Sequence, residues 1–598
     1  MVSSFRIPSH ANGVPTARDP ASTASQSARA IECDALVVGS GAMGLAAALT
    51  ARLAGLNVIV VEKAPEIGGC SAYSFGMLWM PCNPVSARHG ITDDRSAALA
   101  YLQHEMGAHF EEDAIHTYLE YGPIMLAFFE RHCGLHFVPR ENFPDYRPEQ
   151  PGAHAGGRSI IPVPYDGREL GDLLKRLKPP QKTFFGMTFT PTENKLISSR
   201  SPAGLAYLAK RTARHAMDLL WHGRSTYLTG GNALVARLLK AAHERGIRIC
   251  TSTAMRTLLQ EDGRVTGALV ESGGHRYRIH ARRGVVLACG GFAHDVARCA
   301  SWFKRPMTDG RSWALAPGTC DGDGLRAALE LGAQAERDLI TEAFWAPVSR
   351  IPAHTFSLSG HFHDRFKPGF VAITPNGKRF ANEADSNHHF AEALLAATPP
   401  GEQPTAWLIC DHLSLFRVGM GEAIHGAPFP IEKHLRSGYL IRRESLAELA
   451  GAMNVPRDTF LDTIEKNNAA ARSGVDTEFG KGDSSFNRYF CGKDNAKNPC
   501  LGKIERAPFY AVRFGVGHMA TLAGIKTNLS GNALHEDGHA ISGLYLAGND
   551  RVNLFKGACP GGGITLGPGL TWAYLTGLAL AGQPVPEPRG LHAVEVVN

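Results

Sequence analysis

Among the twelve cysteines of this 598-residue chain there is no Cys-x-x-Cys pair and no spacing that suits zinc. The expectation is reduced thiols in a cytoplasmic protein with no bound metal. Long apolar runs are missing too. Residues 557–583 carry no charge, but Pro560, Pro568 and eight glycines interrupt them, so no transmembrane helix is expected. The first 30 residues hold no apolar segment of the kind a secretory signal needs. Arg6, Arg18 and Arg29 face only Asp19 there, a faint transit-peptide character, and residues 1–32 read as a disordered tail. Neither sign of charge dominates: 62 basic against 56 acidic residues give +6, spread along the chain. That excludes a nucleic-acid footprint and leaves a mildly basic surface compatible with peripheral contact to an anionic membrane.

What is abundant is glycine, and its placement is informative. The segment Val37–Ala48 reads VVGSGAMGLAAA. An apolar run, Ala35–Val38, reads as a buried parallel strand, and an alanine-rich helix follows over Leu45–Leu53. Between them lie Gly39, Gly41 and Gly44 at the spacing of a dinucleotide-binding turn. Gly39 permits the tight turn, Gly41 lets backbone approach a pyrophosphate, and Gly44 lets helix pack on strand. The helix N-terminus offers N–H groups to the phosphates. A second strand, Val58–Val61, ends at Glu62, 18 residues beyond Gly44, where a carboxylate accepts the ribose hydroxyls of an adenosine.

A chain this long exceeds one core, so two or more domains are expected. Residues 33–309 read as the first part of an α/β nucleotide-binding domain of Rossmann type. It holds helices within 94–134, a loop-like stretch at 143–167, a helix ending at Gly246 and a strand at 247–249. A hairpin at 265–280 follows, then a strand running into Gly290–Gly291. Residues 310–495 read as an inserted α+β substrate domain, with a turn at Pro375–Gly377 and helices at 445–452 and 456–472. Residues 496–598 read as the nucleotide domain resumed, with strands at 508–514 and 541–550 and a helix over 569–581 opened by the Gly561–Gly563 turn. That turn suits the anionic edge of a reduced isoalloxazine ring.

Several stretches together resemble the fumarate reductase and succinate dehydrogenase flavoprotein superfamily, and within it the 3-ketosteroid Δ1-dehydrogenases. They are GGCSAYSFGMLWMP, FPDYRPE, KPGFVAITPNGKRFANEA, APFYAV, GLYLAGND and PGGGITLGP. The match spans roughly residues 33–583. It implies bound FAD, held by Gly39, Gly41, Ala42, Met43 and Gly44, by Glu62 and Lys63, and by Gly69, Cys70 and Ser71. Further contacts are implied at Gly290, at Gly548, Asn549 and Asp550, and at Gly563, Ile564, Thr565 and Leu566. Cys70 and Ser71 follow the second glycine pair and no His does, so the flavin is expected to be non-covalent.

The resemblance also implies a reaction. A base removes a proton beside a ketone while hydride leaves the adjacent carbon for flavin N5, and hydrogen-bond donors hold the enolate oxygen. The family takes those donors from a Tyr hydroxyl and a backbone N–H within Tyr-Pro-Gly-x-Gly. Gly563 matches the backbone donor, but Cys559 stands where the Tyr would be, and a thiol is a weak donor. A second family tyrosine is replaced by Asn387, while Tyr146 matches a tyrosine near the proton-abstraction site. Tyr146, His354, His361 and His363 are the candidate bases.

Three functions follow. The first is desaturation of an apolar, steroid-like ketone with an external electron acceptor. The second is an enoate or enone reductase, with Arg365 or Arg379 as the cationic group. It lacks a His-His-Thr-type block before Gly524, where the chain reads Gly517-His518-Met519-Ala520-Thr521. The third is a flavin-binding module without turnover, which the replaced tyrosines favour and the complete glycine motifs oppose.

Overall fold

A computed structural model describes residues 29–583, except 182, 200, 308, 353–356, 425–429 and 492–496. His354 and residues 1–28 of the expected tail therefore lie outside the described residues.

The chain begins with β1 (Arg29–Val38), α1 (Ala42–Leu53) and β2 (Val58–Val61), a right-sized unit for a parallel crossover. Residues 29–32 are strand rather than tail. The later strand β6 is 13 residues long and offers them partners, with Ile31 opposite Ile279. Helices α2 (Arg95–Met106) and α3 (Glu112–Cys133) follow. The stretch expected as loop at 143–167 contains a short strand, Ser159–Pro162, which pairs with Leu78–Trp79. Then come α4 (Pro202–His222), α5 (Gly230–Glu244), β3 (Arg248–Cys250), β4 (Thr253–Glu261), β5 (Arg264–Ser272) and β6 (His275–Leu287).

Downstream lie α6 (Asp323–Leu329), β7 (Ala343–Ile351), β8 (Phe370–Ile373), α7 (Asn387–Ala397) and β9 (Thr405–Asp411). The two helices read from the sequence appear as α8 (Leu446–Met453) and α9 (Arg457–Ser473). The chain closes with β10 (Phe509–Thr521), β11 (Asn532–Leu534), β12 (Ala540–Leu546) and α10 (Leu566–Leu580).

The first sheet runs β11-β12-β6-β1-β2-β3, with β5 and β4 added as an antiparallel flap on β6. Its central strands β12, β6, β1, β2 and β3 are parallel. Val37, Val60, Val285 and Leu287 are wholly buried, as a strand covered on both faces demands, and each such side chain contributes about 1.5–3 kcal/mol. α1 packs against α10 over small residues: a Cβ on Gly577 would fall 2.5 Å from the Thr50 side chain. The fold is α/β, as read.

The second sheet runs from Ser357–Gly360 through β7, β10 and β9 to β8, with Leu440–Arg443 also on β10. β10 was expected with the resumed nucleotide domain. It is instead the strand that joins the halves of this second sheet, pairing with β7 and with β9. Sequence cannot show that pairing, because both sheets take strands of the same apolar alternation. The Pro375–Gly377 turn is present, closed by a single bridge between Ile373 and Arg379, while β8 pairs with β9 instead.

Candidate functional site

The three glycines after β1 have separate steric reasons. Gly39 has φ +111°, and a Cβ there would meet the Ala288 carbonyl oxygen at 2.2 Å. A Cβ on Gly44 would meet the Gly39 carbonyl oxygen at 2.1 Å, so this glycine seats α1 on the turn. A Cβ on Gly41 would touch only Ser71 Oγ, at 3.6 Å, which leaves the backbone open. No side chain caps α1, so its first turn presents N–H groups. One is taken: Ala42 N–H donates to Ser71 Oγ at 3.1 Å.

The Glu62 carboxylate braces this turn against the end of β2. Ser40 donates to it from N–H at 2.9 Å and from Oγ at 2.7 Å, and Ala64 N–H donates at 2.9 Å. Beside it, the Lys63 ammonium bridges Asp321 at 2.5 Å and Asp323 at 2.9 Å. Burial opposes the charged ammonium, but the two carboxylates outweigh it and raise its pKa.

These groups face a cavity of about 690 Å³. Twelve of the positions expected to hold a dinucleotide line it: Gly39, Gly41, Met43, Gly44, Glu62, Lys63, Gly69, Cys70, Ser71, Gly290, Gly548 and Asn549. Its other walls escaped the sequence reading. Thr253 and Met255 come from β4, and Thr319, Cys320 and Asp323 come from residues assigned to the second domain. The Gly-rich run GTCDGDG was the available signal for the latter.

Ala42 and Asp550 do not line the cavity; they build its walls. Asp550 is fully buried and accepts N–H bonds from Cys289, from Gly290 at 3.3 Å and from Gly291 at 3.3 Å. Burial, reinforced by Asp323, raises its carboxyl pKa to about 7 against the pull of those N–H groups.

A second cavity, about 310 Å³, shares Gly548 and Asn549 with the first and is lined by Thr521, Thr565 and Trp572. Thr521 Oγ1 and Trp572 Nε1 are buried without a hydrogen-bond partner among the described residues. Two adjoining cavities, an open glycine backbone, an uncapped helix start and two orphaned polar atoms fit an elongated dinucleotide such as FAD. Gly563, Ile564 and Leu566 line neither cavity. Ile564 and Leu566 are buried in the core. The glycines ahead of α10 pack on Met77–Trp79: a Cβ on Gly561 would lie 2.3 Å from the Trp79 ring and one on Gly563 2.4 Å from its backbone nitrogen.

The candidate catalytic side chains gather on the other side of that turn. Tyr146 N–H donates to the Pro560 carbonyl at 3.0 Å, which holds the Tyr146 loop against Cys559–Pro560. The Tyr146 ring stands edge-on to Phe486 at 4.9 Å between centroids and to Phe143 at 6.2 Å. Burial pushes its phenol well above the ordinary range, and its hydroxyl has no hydrogen-bond partner among the described residues. Cys559 is 1% exposed, inside the core rather than on a cavity wall, and burial raises its thiol as well. His363 is exposed and lies between Phe75, at 6.2 Å, and Phe490, at 5.8 Å.

His361 is buried with both ring nitrogens engaged, Nδ1 by Asp364 at 2.6 Å and Nε2 by Ser349 Oγ at 2.9 Å. Such a ring is a structural member, not a base. The arginines offered as substrate clamps are also committed. Arg365 donates to the carbonyls of His361, Glu383 and Asp385 and to Asn387 Oδ1. Arg379 bonds Glu383 and Asp476, two oxygens each, and is 3% exposed at its side chain. Neither has an open face for a substrate carboxylate, which removes the physical support for the reductase reading. Outside the site, the one grouping of three potential metal ligands among the described residues is the surface turn His535, Asp537 and His539.

The cradle is that of a flavin-dependent oxidoreductase. The chain belongs to the FAD-binding domain family, whose description matches residues 34–566. It is 37% identical over 575 residues to a 3-oxosteroid 1-dehydrogenase of Mycolicibacterium smegmatis, covering 94% of this chain and 99% of that protein. It is 34% identical to a 4-oxocyclohexanecarboxylate 2-dehydrogenase of Sinomonas cyclohexanicum, covering 92% and 93%. It superposes with TM-score 0.85 on the crystal structure of a 3-ketosteroid Δ1-dehydrogenase from Sterolibacterium denitrificans in complex with 1,4-androstadiene-3,17-dione. That match is at 32% identity and covers 92% of this chain and 99% of the other. The protein is an FAD-dependent oxidoreductase. No helix among the described residues is long and apolar enough to cross a membrane.

Proposed function

We propose that the protein desaturates a 3-ketosteroid or related polycyclic ketone beside its carbonyl. The observation that carries this reading is full-length similarity to proteins of that activity, together with an aromatic wall of Phe143, Tyr146, Phe486 and Phe490 against the Cys559–Gly563 turn. Such a wall suits a flat apolar substrate. FAD, when bound, supplies the acceptor for the departing hydride, and an external acceptor then reoxidises it.

Tyr146 is the best-seated base: its hydroxyl has no hydrogen-bond partner among the described residues, and its loop is pinned to the turn. A phenol raised by burial is ionised only toward alkaline pH, so turnover should rise with pH across the range the enzyme tolerates. Gly563 N–H and Cys559 stand on the ketone side, and His363 stands at the rim. The flavin is non-covalent in this reading, held in part by Glu62 and the Gly39–Gly44 turn. Acid precipitation should then leave the yellow colour in the supernatant rather than the pellet. Scattered thiols support a cytoplasmic setting.

Contact with a membrane surface is supported by α4. It exposes Leu205, Met217, Leu219, Leu220 and Trp221 beside Lys210 and Arg214. An apolar face with flanking cations suits an anionic bilayer and a substrate that partitions into it. The test of function is anaerobic mixing with a saturated 3-ketosteroid. The flavin absorbance near 450 nm, an approximate position general to oxidised flavins, should bleach. Bleaching by no ketone, with reoxidation of the reduced enzyme by an enoate, would sink the reading.

A further inference from the structure

The proposed reaction leaves one place unfilled: a second donor for the ketone oxygen, where Cys559 offers only a thiol. The candidate is a residue the sequence reading passed over. His388 and His389 are adjacent in the first turn of α7 and are treated differently. His388 is 1% exposed, accepts from Trp345 N–H at Nδ1, 3.1 Å, and meets Glu392 at Nε2, 3.4 Å. Both of its nitrogens are spent. His389 uses only one. Ser386 Oγ, the N-cap of α7, accepts the backbone N–H of His389 at 3.1 Å and lies 3.0 Å from His389 Nδ1. The one hydroxyl hydrogen of Ser386 has no other partner among the described residues, so it goes to Nδ1. Nδ1 is then the acceptor, and the ring proton sits on Nε2.

Nε2–H has no acceptor among the described residues. The ring stands edge-on to Tyr146, centroids 6.4 Å apart, and Tyr146 in turn packs on Phe143 and Phe486. Burial, aided by the neighbouring His388 and Arg147, lowers its pKa and keeps the ring neutral. Asn387, at the position of the family's second tyrosine, accepts from Arg365 at 2.6 Å.

We propose that His389 is a catalytic residue that donates a hydrogen bond from Nε2–H to the ketone oxygen of the substrate, supplying the donor that Cys559 does not. The inference rests on the proposed ketone desaturation. The carbonyl oxygen and the α-hydrogen of a ketone belong to adjacent carbons, which fits a donor and a base on neighbouring rings. A neutral imidazole is an effective donor here, because it stabilises the enolate without first losing a proton of its own.

The test uses the FAD-loaded protein and a steroidal naphthol, a mimic of the enol whose neutral and ionised forms fluoresce at different wavelengths. Wild type should bind it with a raised ionised fraction. His389→Met should lower that fraction and reduce kcat on a 3-ketosteroid roughly 100-fold with little change in KM. His389→Gln, which keeps an N–H donor, should recover part of both. Ser386→Ala, which frees the tautomer, should lower the ionised fraction while flavin content holds.

Equal ionisation in wild type and His389→Met would overturn the proposal, as would failure of wild type to bind the naphthol or a His389→Gln as damaged as His389→Met. If wild type turns over no ketosteroid, the proposed function fails, and the naphthol still decides the role of His389.

Discussion

The cofactor side and the substrate side of this molecule are built by different means. The cofactor side turns on backbone: glycines at 39, 41, 44, 69, 290 and 548 bring main chain to a cavity whose remaining walls are side-chain-bearing residues such as Glu62, Lys63 and Asp323. The proposed substrate side is side chain: Phe143 and Tyr146, His363, His389, and Phe486 and Phe490 come from four separate segments and meet only in the fold. A backbone site tolerates no added atom but much sequence drift around it. A side-chain site keeps its frame while its chemistry is exchanged, as Cys559 and Asn387 show.

The sharpest way to break this comparison is Gly44→Val. Its Cβ would lie 2.1 Å from the Gly39 carbonyl oxygen, so α1 must leave the turn. Flavin content after desalting should fall to background; a yellow variant would show that the cradle yields to side chains after all. Cys559→Tyr tests the other side. The position is 1% exposed, and overpacking a core costs about 1–3 kcal/mol. The variant should keep its flavin and lose at least tenfold in ketosteroid turnover, on the order of 1.4 kcal/mol. A faster enzyme would mean that a phenol fits there and supplies oxyanion stabilisation.

Glu62→Ala removes one carboxylate from the cradle. A hydrogen bond to a charged group is worth about 1.5–3 kcal/mol, so FAD affinity by equilibrium dialysis should drop roughly 10- to 100-fold. Unchanged affinity would leave Glu62 as a brace for Ser40 alone.

The remaining test reads a slope. Asp550 has its pKa raised from 3.8 to about 7 by burial, so its contribution to stability is fully present below 3.8 and is lost as pH rises through about 7. Asp550→Asn cannot titrate. The difference in Tm between wild type and this variant should therefore shift against wild type from pH 5 to pH 8, and a constant difference would show that the carboxyl is not perturbed.

Much of the cradle was legible because steric demands write themselves as glycine. Gly39 and Gly44 are fixed by contacts a Cβ would violate, and a run such as Ala35–Val38 has no other buried use. The wall at Thr253 was not legible, since no local rule marks a residue that reaches a cavity from a distant strand end, while the signal for Thr319 and Cys320, the run GTCDGDG, was read into the second domain. β10 was found as a strand and given to the wrong sheet, because strand periodicity carries no partner. Ala42 and Asp550 were expected at the cofactor and serve its walls, and family position alone does not separate those tasks. Tyr146 was found by resemblance. His389 was not, because its significance lies in the hydroxyl of Ser386 and in a thiol 170 residues away at Cys559.

Asp550 ties the N–H groups of residues 289–291 to the segment that follows β12, so one carboxylate clasps two turns 261 residues apart at Cys289. β12 is the last parallel strand laid on β6, and α10, later still, covers α1. Synthesis must therefore have passed Asp550 before this cavity can close. Until then the first βαβ unit waits with its phosphate-binding turn complete and its far wall missing. Flavin capture consequently waits for β12 and α10, and a truncation that removes that strand and helix should discard the cofactor while leaving every one of the first three glycines in place.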